Sequence, residues 1–180
     1  MFLESDSVTL RKTNRQDVDF VCSLEAMEEN AKFIIPWSKE KHEKALANTD
    51  VLHLIVEDRK RSQPVGYLII AGLENPDLSI ELVRITINEK GKGYGKESFN
   101  LIKDWVFTKF QAHRLWLDVK VNNVRAFKLY QKQGFVVEGT LRDCLKTEHG
   151  FESLHIMSIL KNEYEELTKE GTCCSTSLMS

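Results

Sequence analysis

Residues 87–99, INEKGKGYGKESF, set Gly91, Gly93 and Gly95 at alternate positions among Lys90, Lys92 and Lys96. Glycine weakens strands and helices alike, so this spacing marks a backbone with a task of its own. The run lies between a strand-like segment and a helical one. Free N–H groups at a helix start, with the positive end of its dipole, suit a pyrophosphate. Without Cβ atoms the backbone can approach phosphate oxygens closely, and the lysines add positive charge. The competing reading is a tight turn with solvated lysines. Spacing removes three familiar phosphate loops. A Walker-type loop needs glycine where Lys90 stands and serine or threonine where Glu97 stands. A dinucleotide fingerprint needs glycine at Lys96 and an all-parallel βαβ unit. A kinase loop joins two strands, whereas this one opens a helix.

The elements around the loop follow from periodicity and turn chemistry. SVTLRKT alternates as a strand, and Asn14 caps a helix carrying Val18, Val21, Leu24 and Met27 at helical spacing. Ser38 caps a polar second helix after Pro36. LHLIVED, VGYLIIAGL and LSIELVRITI read as strands, and the turns between them favour an antiparallel meander. Beyond the loop, Phe99, Leu101, Ile102, Trp105 and Val106 form the apolar stripe of a helix ending near Gln111. HRLWLDVKV is a strand, and NVRAFKLYQKQG is a helix capped by Asn123 and stopped by Gly134. FVVEGTLRDCL and ESLHIMSIL make a hairpin around TEHG. This order predicts one α/β domain over residues 1–168, with a mixed, mostly antiparallel sheet of about seven strands and about four flanking helices. Residues 169–180 read as a flexible polar tail.

A second segment, NNVRAFKLYQKQGF at residues 122–135, resembles the second signature of the GNAT N-acetyltransferases, N-x-x-A-x-x-L-Y-x-x-x-G-F. Asn123, Ala126, Leu129, Tyr130, Gly134 and Phe135 all fall on it. The glycine loop then resembles the superfamily's acetyl-CoA motif, Q/R-x-x-G-x-G/A, with Gly93 and Gly95 in place and Lys90 where glutamine or arginine is usual. The later EGTLRDCLKTEHGFESLHIMSIL resembles the ending of the RimJ/RimL-type branch. Together these cover about residues 7–165 and imply the GNAT fold, with acetyl-CoA as co-substrate and no metal. The resemblance implies that the pantetheine arm runs along exposed backbone groups of Ile85 and Ile87, where their strand splays from the next. It puts the pyrophosphate on the N–H groups of Gly91, Lys92, Gly93, Tyr94, Gly95 and Lys96, with Lys90 and Asn123 also on the donor side.

Tyr130 is the family's usual general acid. It follows Asn123 by seven residues, which places both on one helix face about 10 Å apart. Its phenol is protonated at neutral pH and can donate to a departing thiolate. The competing role is a packed core tyrosine. Glu81, the one carboxylate in SIELVRITI, is the candidate base or water-orienting residue, and strict alternation gives it the face of Val83, Ile85 and Ile87. Its competing role is a strand residue paired with a cation. Glu25, Glu28 and Glu29 beside Phe33 and Trp37 suggest an acceptor pocket, against the plainer reading of a solvated helix face with core aromatics. No cysteine stands where a covalent acetyl carrier is expected, so the acetyl group passes directly to the amine. The branch resemblance makes a ribosomal-protein-type N-terminus the expected acceptor. A small amine (polyamine, amino acid or antibiotic) and a non-catalytic acyl-CoA sensor are the alternatives.

The 25 basic and 27 acidic residues leave a net charge of −2, which gives no global case for nucleic acid. No long apolar run or signal-like start is present, so a cytoplasmic protein without membrane contact is expected, as a monomer or homodimer. Cys22, Cys144, Cys173 and Cys174 lack zinc spacing and read as reduced thiols. His42, His53, His113, His149 and His155 show no mutual spacing for a metal or a triad and read as incidental.

Overall fold

The chain opens with Phe2–Glu4 (β1) and Val8–Lys12 (β2). Asn14 then starts a helical region as its side chain dictates. It accepts from the N–H groups of Gln16 and Asp17, and the Asp17 carboxylate accepts from the N–H of Asn14 at 2.8 Å. A 3-10 turn leads into Val18–Ala26 (α1), followed by the short Glu28–Ala31 (α2) and by Lys39–Leu46 (α3), whose cap Ser38 accepts from Lys41 N–H at 3.3 Å. Three strands follow: Val51–Asp58 (β3), Gln63–Ala71 (β4) and Ser79–Ile87 (β5). The rest is Tyr94–Thr108 (α4), Arg114–Lys120 (β6), Val124–Lys132 (α5), the hairpin Val136–Thr147 (β7) and Gly150–Leu160 (β8), and Lys161–Cys173 (α6). This computed structural model describes residues 2–148 and 150–173.

Among the described residues the sheet has eight strands in the order β1-β2-β3-β4-β5-β6-β8-β7. Every pairing is antiparallel except β5 with β6, which α4 connects as a crossover. Among the described residues six α-helices flank the sheet. On one face Leu68, Ile70, Ile80 and Leu82 pack against Phe99, Ile102 and Val106 of α4. On the other, Ile55, Tyr67 and Ile69 pack against Val21 and Leu24 of α1. The class is as expected, with three elements added. β1 and α2 are too short to show a period. α6 carries only Tyr164, which stacks on Phe107 at 4.8 Å, and Leu167 as large non-polar side chains, too few to present an apolar stripe. Residues 169–173 of the expected tail continue α6, while His149 and residues 174–180 lie outside the described residues. No helix among the described residues is long and apolar enough to cross a membrane.

The feature that makes a site is a fork. β5 and β6 pair only over Ser79–Glu81 and Arg114–Trp116, then diverge. Beyond Glu81 the edge of β5 that faces β6 has no partner strand, and a cleft runs through the gap from one face of the sheet to the other.

Candidate active site

Backbone direction is settled by one hydrogen bond. Asn88 N–H, just past β5, donates to Val65 O of β4 at 2.8 Å, and peptide groups alternate along a strand. Ile85 and Ile87 therefore turn their N–H and C=O groups toward the fork, as expected. Side-chain alternation is different. Ile69 lies opposite Arg84 and Ile70 opposite Leu82, so Val83 is a bulge residue. The bulge places Glu81 on the face of Arg84 and Thr86, opposite Ile85 and Ile87, which corrects the expectation from strict alternation.

The cleft has a volume of about 850 Å³. Gly91 and Gly93 line it with φ of +87° and +86°, a left-handed backbone that glycine adopts without cost. Gly93 is the N-cap of α4, and the N–H groups of residues 91–96 find no acceptor among the described residues. The loop's side chains divide. Lys92 does not line the cleft; it bonds Glu89 at 2.5 Å, and Arg61 bridges Glu89 and Asp58 at 2.7 and 3.0 Å. Tyr94 turns its ring into the core and donates its hydroxyl to Asp58 at 2.5 Å, leaving only its backbone to the cradle. Lys90 reaches away from the cradle to Glu29 and Asn30. Gly95 and Lys96 line the cleft, with Arg125, Lys128 and Lys132 of α5 adding a cationic rim.

Tyr130 and Asn123 line the same cleft from α5. Asn123 caps its helix, accepting from Ala126 N–H at 3.2 Å. The Tyr130 ring is 8% exposed and held between Phe99 and Phe135, with centroids 5.5 and 6.0 Å away. Its hydroxyl makes no hydrogen bond among the described residues. Desolvation, and then the charge of Asp118, push its pKa well above the ordinary phenol value, so it keeps its proton.

On the far face of the fork Glu81 of β5 and Asp118 of β6 line the cleft. Neither has an ion-pair or hydrogen-bond partner among the described residues. Desolvation, then Asp118, raises the pKa of Glu81; desolvation raises that of Asp118, with Arg84 opposing. Phe33, Ile34 and Trp37 form an apolar wall beside them. Asp118 was missed because a single acid at the polar position of LWLDVKV looks like any outward strand residue.

Of the three glutamates expected at the acceptor pocket, Glu29 alone lines it. Glu25 is fully buried behind the wall. It takes the Tyr67 hydroxyl, the Arg84 guanidinium and, at 2.6 Å, the Trp37 N–H. His42 Nε2 stands 3.3 Å from it, His42 Nδ1 is 3.1 Å from His53 Nε2, and His53 Nδ1 is 2.9 Å from Thr13 Oγ1. The four side chains form one buried polar line from Thr13 through His53 and His42 to Glu25. These two histidines are therefore not incidental. Nothing in their spacing of eleven residues announced it, because a helix and a strand bring them together.

The chain sets an acid sensitivity. His53, held down to about 4 by burial and then by His42, stays neutral while an unfolded histidine near 6.5 takes a proton. Stability is then full above pH 6.5 and falls toward pH 4, by on the order of 3 kcal/mol. Burial opposes the Glu25 charge, but its contacts with His42, Tyr67, Arg84 and Trp37 outweigh it and hold the carboxyl near about 2, so its contribution is lost below pH 4.5. Thermal unfolding at pH 7, 5.5 and 4 should show the first loss, and His53→Gln should flatten it; parallel curves for the two proteins would refute it.

A sequence model described as the acetyltransferase (GNAT) family matches residues 19–135. The spermidine N(1)-acetyltransferase of Vibrio cholerae is 26% identical over 171 residues, covering 89% of this chain and 96% of that protein. A putative [ribosomal protein bS18]-alanine N-acetyltransferase of Bacillus subtilis is 30% identical, covering 86% and 96%. The solved spermidine N-acetyltransferase from Vibrio cholerae in complex with CoA and spermine superposes with a TM-score of 0.80 at 25% identity, covering 89% of this chain and 99% of that one. These likenesses support the superfamily expected from the two motifs, and do not single out the RimJ/RimL-type branch.

Proposed function

This chain belongs to the GNAT acetyltransferase family and is an acetyl-CoA-dependent N-acetyltransferase, and from that premise we propose that its acceptor is a small aliphatic polyamine. The observation that carries this is the unpartnered Glu81–Asp118 pair beside an apolar wall. Neighbouring cations are already committed: Arg84 to Glu25, Lys90 to Glu29, Lys120 to Glu152, while Lys41 lies over the Trp37 ring at 4.0 Å. The pair is thus the unmatched charge at the acceptor end. An alkyl ammonium chain matches it, with ammonium on the carboxylates and methylenes on Phe33, Ile34 and Trp37. The likeness to spermidine acetyltransferases over most of the chain supports the same class.

The chemistry divides across the fork. Acetyl-CoA lies on the α4–α5 face, with its pyrophosphate on the N–H groups of residues 91–96 and its arm along Ile85 and Ile87. The ammonium gives one proton to the Glu81–Asp118 pair, directly or through water, and its nitrogen attacks the thioester carbon. When the C–S bond breaks, the sulfur takes the Tyr130 proton and the acetyl group stays on nitrogen, which sheds its second proton as the amide forms; that proton, passed through water, restores Tyr130. An amine near pKa 10.4 needs a base more than an α-amine near 8 does, and a carboxyl raised by burial and by a neighbouring acid, as Glu81 is, makes a better base than a solvated one.

Thiol release measured with spermidine, spermine, a free amino acid, an aminoglycoside and an alanine-starting peptide tests the acceptor. The polyamines should give the highest kcat/KM; a peptide preference would return the acceptor to a protein N-terminus. The base is tested separately. Asp118 raises Glu81, so Asp118→Asn should lower the Glu81 pKa and move the acid limb of the kcat/KM profile to lower pH. A limb that stays or rises would remove the pair from the mechanism.

A further inference from the structure

Lys90 belongs to the donor loop but is held by the acceptor wall. Its ammonium is 2.9 Å from Glu29 Oε2 and 3.0 Å from Asn30 Oδ1, both on α2. Asn30 is buried and donates its amide to Leu24 O at 2.8 Å, so it is fixed to the end of α1. Glu29 is different: its side chain is 49% exposed and lines the cleft. Lys90 lines the same cleft, immediately before the unpartnered N–H groups of residues 91–96.

We infer that Lys90 is contested between Glu29 and the diphosphate of acetyl-CoA, so that donor binding releases the Glu29 carboxylate to hold a second ammonium of the acceptor. A half-exposed lysine–glutamate pair is weak. A diphosphate brings two charges into the adjacent amide cradle, where the low-dielectric walls strengthen its pull. Asn30 is neutral and keeps its bond as the ammonium turns. Losing Lys90 leaves Glu29 the one carboxylate of α2 on the cleft, near the apolar wall. Donor and acceptor then strengthen each other's binding through a single lysine, and by linkage the effect is reciprocal. The acceptor half rests on the polyamine reading; the donor half does not.

Calorimetry on the full chain separates the two halves. Glu29→Gln removes the competitor, so CoA should bind about two- to fivefold more tightly than to the parent. Acetylpantetheine, which has no diphosphate, should bind both proteins equally. In the parent, saturating CoA should tighten spermidine binding by about fivefold, and in Glu29→Gln or Lys90→Met that gain should vanish. Unchanged or weaker CoA binding by Glu29→Gln overturns the competition. Spermidine coupling that persists in Glu29→Gln overturns the release. If the CoA result holds and spermidine is not a substrate, the acceptor reading fails and the competition stands.

Discussion

Tyr130→Phe should lower kcat by about 10²–10³-fold while acetyl-CoA affinity stays within about twofold. The substitution keeps the ring, so the contacts with Phe99 and Phe135 survive and the fold should not change. On the proposed mechanism, what is lost is the proton that the leaving thiolate takes. A phenol whose pKa is raised looks a poor acid against a thiol near 8.5 in water. The same desolvation acts on the thiolate, however, and in the cleft both anions are disfavoured together. The proton is therefore worth most at the transition state, when charge builds on sulfur. That places the loss in kcat and in kcat/KM alike. Equal rates for the variant and the parent would return Tyr130 to a packing role.

Gly93→Val should act on the other half of the reaction, reducing acetyl-CoA affinity by about tenfold or more with a smaller effect on kcat at saturation. A Cβ at Gly93 meets only Glu97 Oε1 at 3.9 Å, so the protein itself has room. The objection is conformational. Its φ of +86° is left-handed, which costs an L-residue about 1–2 kcal/mol and a β-branched one more. The loop would rotate to relieve this and its N–H groups would no longer converge. Gly91→Ala carries similar strain at φ +87° with nothing within 4 Å of the new atom, and should give a milder loss. Unchanged affinity in both would make the loop a plain turn.

Much of the geometry of the glycine loop and α5 was legible because it depends on local rules. Glycine spacing, a helix start and the register of Asn123 and Tyr130 on one helix are short-range properties. The identity of Ile85 and Ile87 as residues with free backbone groups follows from strand alternation once the fork exists. The acceptor side was less legible because its relations are long-range. The bulge at Val83 reverses the face of Glu81, and no residue in SIELVRITI advertises it. Glu25 looked like a pocket acid but is a buried hub, since its partners Tyr67 and Arg84 come from strands 42 and 59 residues away. His42 and His53 gain their relation only when α3 packs on β3. Lysines expected at the phosphates are spent in part on holding the loop: Lys92 on Glu89, Lys90 on α2.

Direct transfer through the fork is tested most simply by initial rates with acetyl-CoA and spermidine varied together, followed by mass analysis of the amine and of the protein. Intersecting double-reciprocal lines, acetylated spermidine with one CoA released per acetyl, and an unmodified chain are the predicted result. Parallel lines with acetyl retained on the protein, or CoA release without an acetylated amine, would contradict it.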